Sequence, residues 1–159
     1  MPEPSRQLSD PQELLAGYLD HYREEILRGL DGFPEHEVSR VPSGWTPLAL
    51  LKHLAYMERR WFVWGFAGEQ VEDPHGDRGE NDELVATESY EELKELYLAQ
   101  CERSREIVAK ARPSDVAART GRFQPPKEAP TLGWILFHVL EEYIRHAGHL
   151  DIARELAEP

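Results

Sequence analysis

Apolar side chains recur at helical spacing in four stretches of the chain, and strand-like alternation of useful length is absent. The first stretch holds Leu14, Leu15, Tyr18, Leu19, Tyr22, Ile26, Leu27 and Leu30. Ser9-Asp10-Pro11 places a capping side chain ahead of a first-turn proline, and Gly32 with Pro34 closes the run. A helix is therefore expected over about residues 10–31. The second stretch follows the cap Thr46-Pro47 and carries Leu50, Leu51, Leu54, Met57, Trp61 and Trp64 as far as Phe66, with Gly68 beyond. The third runs from about Ser89 to Ala111. Ser89 and Glu92 have capping-box spacing, and Leu93, Leu96, Tyr97, Ile107 and Val108 form the apolar side. The fourth begins at Pro130-Thr131 and reaches about Leu156. Its apolar set is Leu132, Ile135, Leu136, Val139, Leu140, Tyr143, Ile144, Ala147 and Leu150.

The connections differ in character. Residues 67–88 hold eight acidic residues, one Arg, three Gly and one Pro, which reads as a long solvated link. Residues 112–130 contain four Pro and one Gly and form a second link. Four amphipathic helices suit an all-α four-helix bundle, and the length of the 67–88 link permits a crossover between helices two and three. The 159 residues fit one domain, 1–159, large enough to bury a core without disulfides or a structural metal.

Charge narrows the range of partners. The formal net charge is -12, and the basic residues Arg59-Arg60, Arg103, Arg105, Arg119 and Arg122 are scattered. Nucleic acid and anionic membrane surfaces are disfavoured. The apolar stretches are too short to span a bilayer. The start Met1-Pro-Glu-Pro-Ser-Arg lacks the apolar core of a signal peptide. A single cysteine, Cys101, excludes an internal disulfide and suits the reducing cytoplasm. It is read as a small packing residue.

Candidate chemistry lies on helices two and four. His21, His36 and His75 fall on polar surface or in loops. His138, Glu142 and His146 point within about 40° of one direction, shared with Ile135 and Val139. Glu142 and His146 therefore face inward, and a buried carboxylate needs a partner. His53 shares the inner face of helix two with Leu50, Met57 and Trp64. Two readings stand on spacing alone. One is a metal held by His53, Glu142 and His146, since three N/O ligands with an open position form the pattern of a catalytic zinc site. Nickel or iron suits the same donors. The other is a buried ion pair of Glu142 with Arg145, flanked by two hydrogen-bonded histidines. His-Glu-x-x-His, a cysteine pair, a Gly-rich phosphate loop and Gly-x-Ser-x-Gly are all absent. The Glu-x-x-His spacing of a di-iron bundle occurs only at Glu72–His75, in the acidic link.

The segment Glu141-Glu142-Tyr143-Ile144-Arg145-His146-Ala147-Gly148-His149-Leu150-Asp151 resembles the last helix of the DinB-like metalloprotein superfamily, most closely its actinobacterial branch. Leu50-Leu51-Lys52-His53-Leu54 with Glu58-Arg59-Arg60-Trp61-Phe62 is similar to that branch's second helix, and Ala99 to Arg105 to its third. The resemblance covers nearly the whole chain. It implies a four-helix bundle with a long crossover between helices two and three, and one metal ligand on helix two with two on the last helix. His53, Glu142 and His146 take those places. The His, Glu, His set matches that of the related mycothiol-dependent maleylpyruvate isomerase, which binds zinc. Arg145 and His149 become candidates for orienting the ligands or touching substrate. The implied activity is a zinc-dependent transferase or isomerase that joins a small thiol of the mycothiol type to a small electrophile. The alternative is a non-catalytic, metal-binding stress-response bundle that forms a homodimer through an exposed apolar face.

Overall fold

Each helix start expected from capping residues closes in the computed structural model, which describes residues 2–119 and 128–157. The Asp10 carboxylate accepts from the Glu13 N–H, and the Thr46 hydroxyl from the Ala49 N–H. Ser89 and Glu92 exchange the two bonds of a capping box. Caps of this kind contribute about 1 kcal/mol each. The resulting helices are α1 (Pro11–Leu30), α2 (Pro47–Glu58), α3 (Tyr90–Val108) and α4 (Leu132–Ala157). Beyond Glu58 the second helix continues without a break into a wider π-helical stretch, Arg59–Phe66. There the Ala67 N–H reaches back five residues to the Phe62 carbonyl, at 2.9 Å. Gly68 ends the helix with φ +71°, a backbone conformation that side chains disfavour. Among the described residues there is no β-strand, and the chain is an all-α four-helix bundle.

Side-chain pairs fix the helix directions. Gln12, at the start of α1, donates to the Val108 and Ala111 carbonyls at the end of α3. Asp31, at the end of α1, meets Tyr90 and Lys94 at the start of α3. These two helices are antiparallel. Lys52 pairs with Glu88 just ahead of α3, Glu58 lies beside Cys101, and Glu69 pairs with Arg103, so α2 and α3 run parallel. His53 meets His146, Glu58 meets Tyr143 and Trp61 meets His138, so α2 and α4 are antiparallel. The order is up, down, down, up. Two consecutive parallel helices require the chain to return along the bundle, which explains the length of the link after Phe66. Gly29 lets α4 approach α1 closely, since a Cβ there would lie 2.7 Å from Leu150.

One polar group crosses the apolar core. Glu58 is fully buried and accepts from Arg23 Nε and Nη2 at 2.8 and 2.9 Å and from the Tyr143 hydroxyl at 2.6 Å. Burial alone would lower the Arg23 pKa, but Glu58 raises it well above its ordinary value. The network joins α1, α2 and α4, and Cys101 of α3 lies 3.9 Å from Glu58. Burial, then Glu58, pushes the Cys101 thiol up to about 12, so it stays protonated and serves as packing.

Three expectations change. The link over residues 67–88 is not wholly solvated: Asp77 is fully buried, because the returning chain lies across α2 and meets groups there. Ile144, placed in the apolar set of helix four, is 48% exposed, its turn of α4 pointing away from the other helices. Trp64 is half-buried, in contact with His75 and Arg119 at the bundle edge. In the Pro-rich link, Arg122 and the segment 120–127 lie outside the described residues.

Candidate metal centre

The rotation of α2 is set by fully buried Leu50, Leu54 and Met57, which carry His53 to the interface with α4. On α4, buried Ile135, Val139 and Tyr143 set the rotation, and the one-turn spacing aligns Glu142 and His146 on the facing side. Glu142 Oε2 lies 4.0 Å from His53 Nε2 and 3.3 Å from His146 Nε2. The three residues each offer a ligand atom, all within 4.8 Å of one another, and this cluster could hold a metal ion. His53 is buried, and the Glu142 and His146 side chains are only 14% and 12% exposed. The expected trio is thus brought together.

The surrounding groups orient it. His53 Nδ1 lies 2.8 Å from Asp77 Oδ2. An ionised carboxylate only accepts, so the His53 proton belongs on Nδ1 and a lone pair on Nε2 faces Glu142. Burial would raise the Asp77 pKa, but bonds from His53 and Arg60 hold it far below the usual carboxylate range. Arg60 Nη1 donates to Asp77 Oδ1 at 3.0 Å and to the Pro74 carbonyl at 2.8 Å. The two oxygens of Glu142 divide their partners. Oε2 faces the imidazoles, while Oε1 accepts from Arg145 Nη2 at 3.1 Å. His146 first, and the Arg145 charge beside it, hold the Glu142 carboxyl far below its usual range. Burial lowers the His146 pKa, which favours the neutral ring that can ligate. His146 Nδ1 is buried with no hydrogen-bond partner, so Nε2 is its one nitrogen with a polar group to face.

This arrangement fits a divalent cation. A lone pair on His53 Nε2 opposes the lone pairs of Glu142 Oε2, and a positive charge between them turns repulsion into attraction. Two imidazole nitrogens and one carboxylate oxygen form a donor set that zinc accepts. A cavity of about 560 Å³ opens in front of the trio. Its wall includes Met57, Trp61, Leu84 and His138, with Arg60, Arg78 and Arg145 at polar points.

Over residues 14–159 the chain matches the protein family described as Mycothiol-S-transferase. The chain belongs to the mycothiol S-transferase family. That family lies within the DinB-like superfamily, in agreement with the resemblance of the last helix. A search of curated proteins gave no match. Membership of the family associates the chain with mycothiol-related transfer.

The remaining histidines separate. His138 shares the cavity but stacks on Trp134, with centroids 4.9 Å apart, and stands outside the trio. His149 is exposed on α4, its ring 5.5 Å from His146 and 6.3 Å from Trp45. Arg145 touches Glu142 directly. Asp77 and Arg60 did not stand out in the sequence. Asp77 is one of eight acids in its link and Arg60 one of a scattered basic set. His75 and Arg78 of the same link also line the cavity. No spacing rule ties such a link to a helix it folds across. Among the described residues, no helix is long and apolar enough to cross a membrane.

Proposed function

We propose that this chain is a metal-dependent thiol S-transferase that joins mycothiol, or a thiol of its kind, to a small electrophile, with His53, Glu142 and His146 as ligands to zinc. The observation that carries the reading is the convergence of His53 Nε2, His146 Nε2 and Glu142 Oε2 at the base of a cavity, in a chain of this family. A divalent metal held there would act as a Lewis acid that lowers the pKa of a bound thiol, making thiolate available at neutral pH.

The chain's own residues do the rest. Asp77 keeps the proton of His53 on Nδ1 and fixes the ring plane. Arg60 anchors Asp77, so the link that carries it cannot swing away from α2 without breaking those bonds. Arg145 holds Glu142 Oε1 and leaves Oε2 toward the histidines. Met57, Leu84 and Trp61 restrict water near the trio and strengthen electrostatic interactions inside the cavity. The volume of about 560 Å³ lies within the usual range for small-molecule sites.

The test is metal content by elemental analysis together with thiol transfer from mycothiol to a chromogenic electrophile. About one zinc per chain is expected, with transfer lost on chelation and restored by zinc. Protein that binds no metal even after zinc is added back would sink the proposal.

Asp77→Asn provides a finer check. Asparagine keeps the shape but presents a neutral amide to His53 Nδ1. Zinc affinity should fall by about 10–100-fold, the usual effect of losing such an orienting carboxylate. Competition with a chromogenic chelator measures it, and unchanged affinity would remove Asp77 from the design of the site.

A further inference from the structure

The walls of the cavity carry more information than the trio at its base. Trp61 and His138 both line it, their ring centroids 4.8 Å apart and their planes at 67°. Two flat faces at that angle form a corner. A planar ring placed in it can stack on one face and meet the other edge-on, and both geometries are favoured for aromatic pairs. The corner is braced from behind. Trp134 stacks on His138 at 16° and lies 5.6 Å from Trp61. His138 is one helical turn, about 6 Å along the axis, from Glu142. A ring in this corner would thus place an attached reactive carbon within reach of the trio.

The charges of the cavity select among such rings. Arg60, Arg78 and Arg145 line it, and the carboxylates among or directly behind the lining residues are Glu142, Asp82, Asp77 and Glu141, the last 3.7 Å from both His138 and Arg145. These seven groups carry one net negative charge, so a divalent cation on the trio would leave the cavity one charge positive, inside a chain of net charge -12. Arg78 is the arginine best placed to change partners. Its side chain is 34% exposed, Nη1 donates to the Asp82 carbonyl at 2.9 Å, and its ionic contacts with the Asp77 and Asp82 carboxylates are both long, at 3.8 Å.

We propose that the electrophile taken by this site is a planar aromatic compound bearing an anionic group. Its ring lies in the Trp61–His138 corner and its anionic group near Arg78. The proposal rests on the transferase reading given above. In the reaction, the thiolate sulfur attacks the electrophilic carbon attached to the ring. The new C–S bond forms as the bond to a halide leaving group breaks, and the halide departs with the electron pair. The proton of the thiol passes to solvent, and no oxidant or reductant is needed.

The experiment has a binding arm and a turnover arm, both on zinc-loaded full-length protein. In the binding arm, calorimetry measures unreactive 4-methylbenzoate against 4-methylbenzyl alcohol, which lacks the charge, and acetate, which lacks the ring. At least about tenfold tighter binding of 4-methylbenzoate than of either is expected. His138→Leu and Arg78→Met should each reduce that affinity about tenfold while retaining zinc. In the turnover arm, mycothiol is offered 4-(chloromethyl)benzoate, benzyl chloride and chloroacetate, each rate being divided by its uncatalysed rate. The largest acceleration is expected for 4-(chloromethyl)benzoate, with the preference reduced in both variants.

The outcomes separate the two ideas. Selective binding without turnover of any electrophile would support the ligand class and overturn the transferase reading. Turnover with equal accelerations and no selective binding would keep the transferase and overturn the aromatic, anionic electrophile. If His138→Leu weakens mycothiol and leaves 4-methylbenzoate unchanged, the corner holds the thiol and the proposal fails.

Discussion

Glu142→Ala will strip zinc from the protein and abolish thiol transfer while leaving the bundle folded. Glu142 Oε2 is the point on which both imidazoles converge, 4.0 Å from His53 Nε2 and 3.3 Å from His146 Nε2. Its removal leaves two neutral nitrogens and takes away the one anionic donor of the trio. It also leaves Arg145 with Glu141, 3.7 Å away, as its remaining carboxylate, so that positive charge is less well neutralised next to the site. Lewis-acid activation contributes several kcal/mol, so transfer should fall by about 10³-fold or more. Metal content should drop from about one per chain to a small fraction after dialysis. The fold should survive, because Glu142 lies at the edge of the apolar core and Ile135, Val139 and Tyr143 hold α4 in place. Elemental analysis, circular dichroism and the transfer assay on one preparation decide the matter. A folded variant that retains stoichiometric zinc would remove Glu142 from the ligand set. His53→Ala should behave alike, and agreement between the two would rule out an effect peculiar to α4.

Glu58→Ala should have the largest effect on stability. The carboxylate is fully buried and carries two bonds from Arg23 and one from Tyr143. Truncating it leaves the Arg23 guanidinium, itself 4% exposed, without its main counter-charge. Breaking a buried pair in this way costs about 3–5 kcal/mol. For a domain of this size that corresponds to a fall in Tm of roughly 10 °C or more. The double variant Arg23→Met/Glu58→Met tests the cause. If the loss comes from an unpaired charge, removing both partners should restore much of the stability. Thermal melts of the two variants would show this, and a double variant no better than Glu58→Ala would point to lost packing instead.

The helices were legible because their signals are local. Asp10, Thr46 and the Ser89/Glu92 pair cap within one turn of themselves, and the apolar stripes repeat with the helix period. His53, Glu142 and His146 were legible for a related reason: they interrupt apolar faces whose direction follows from that period. The resemblance of the last helix then singled out the trio among inward-facing groups. Asp77 was not legible. It lies in a segment with no periodicity, and burial there depends on the route the chain takes between two parallel helices. The Trp61–His138 corner was hidden too, because it forms across two helices that meet only in the fold. Ile144 shows the opposite failure. Its apolar character fits the stripe, yet the breadth of the stripe exceeds the surface α4 covers.

The antiparallel meeting of α2 and α4 has a consequence for the order in which the protein is made. During synthesis His53 emerges early, Asp77 follows on the returning link, and Glu142 and His146 come with the last of the four helices. The trio is therefore incomplete on the ribosome until α4 has been released and has docked. On the proposed reading, metal capture would mark a bundle in which α4 has docked, and chains with α4 unmade or misplaced would offer only scattered ligands. An ion that binds the docked bundle alone adds about 2.7 kcal/mol of stability at a hundredfold excess over its Kd. That increment would reach docked bundles and pass over those still open to proteolysis.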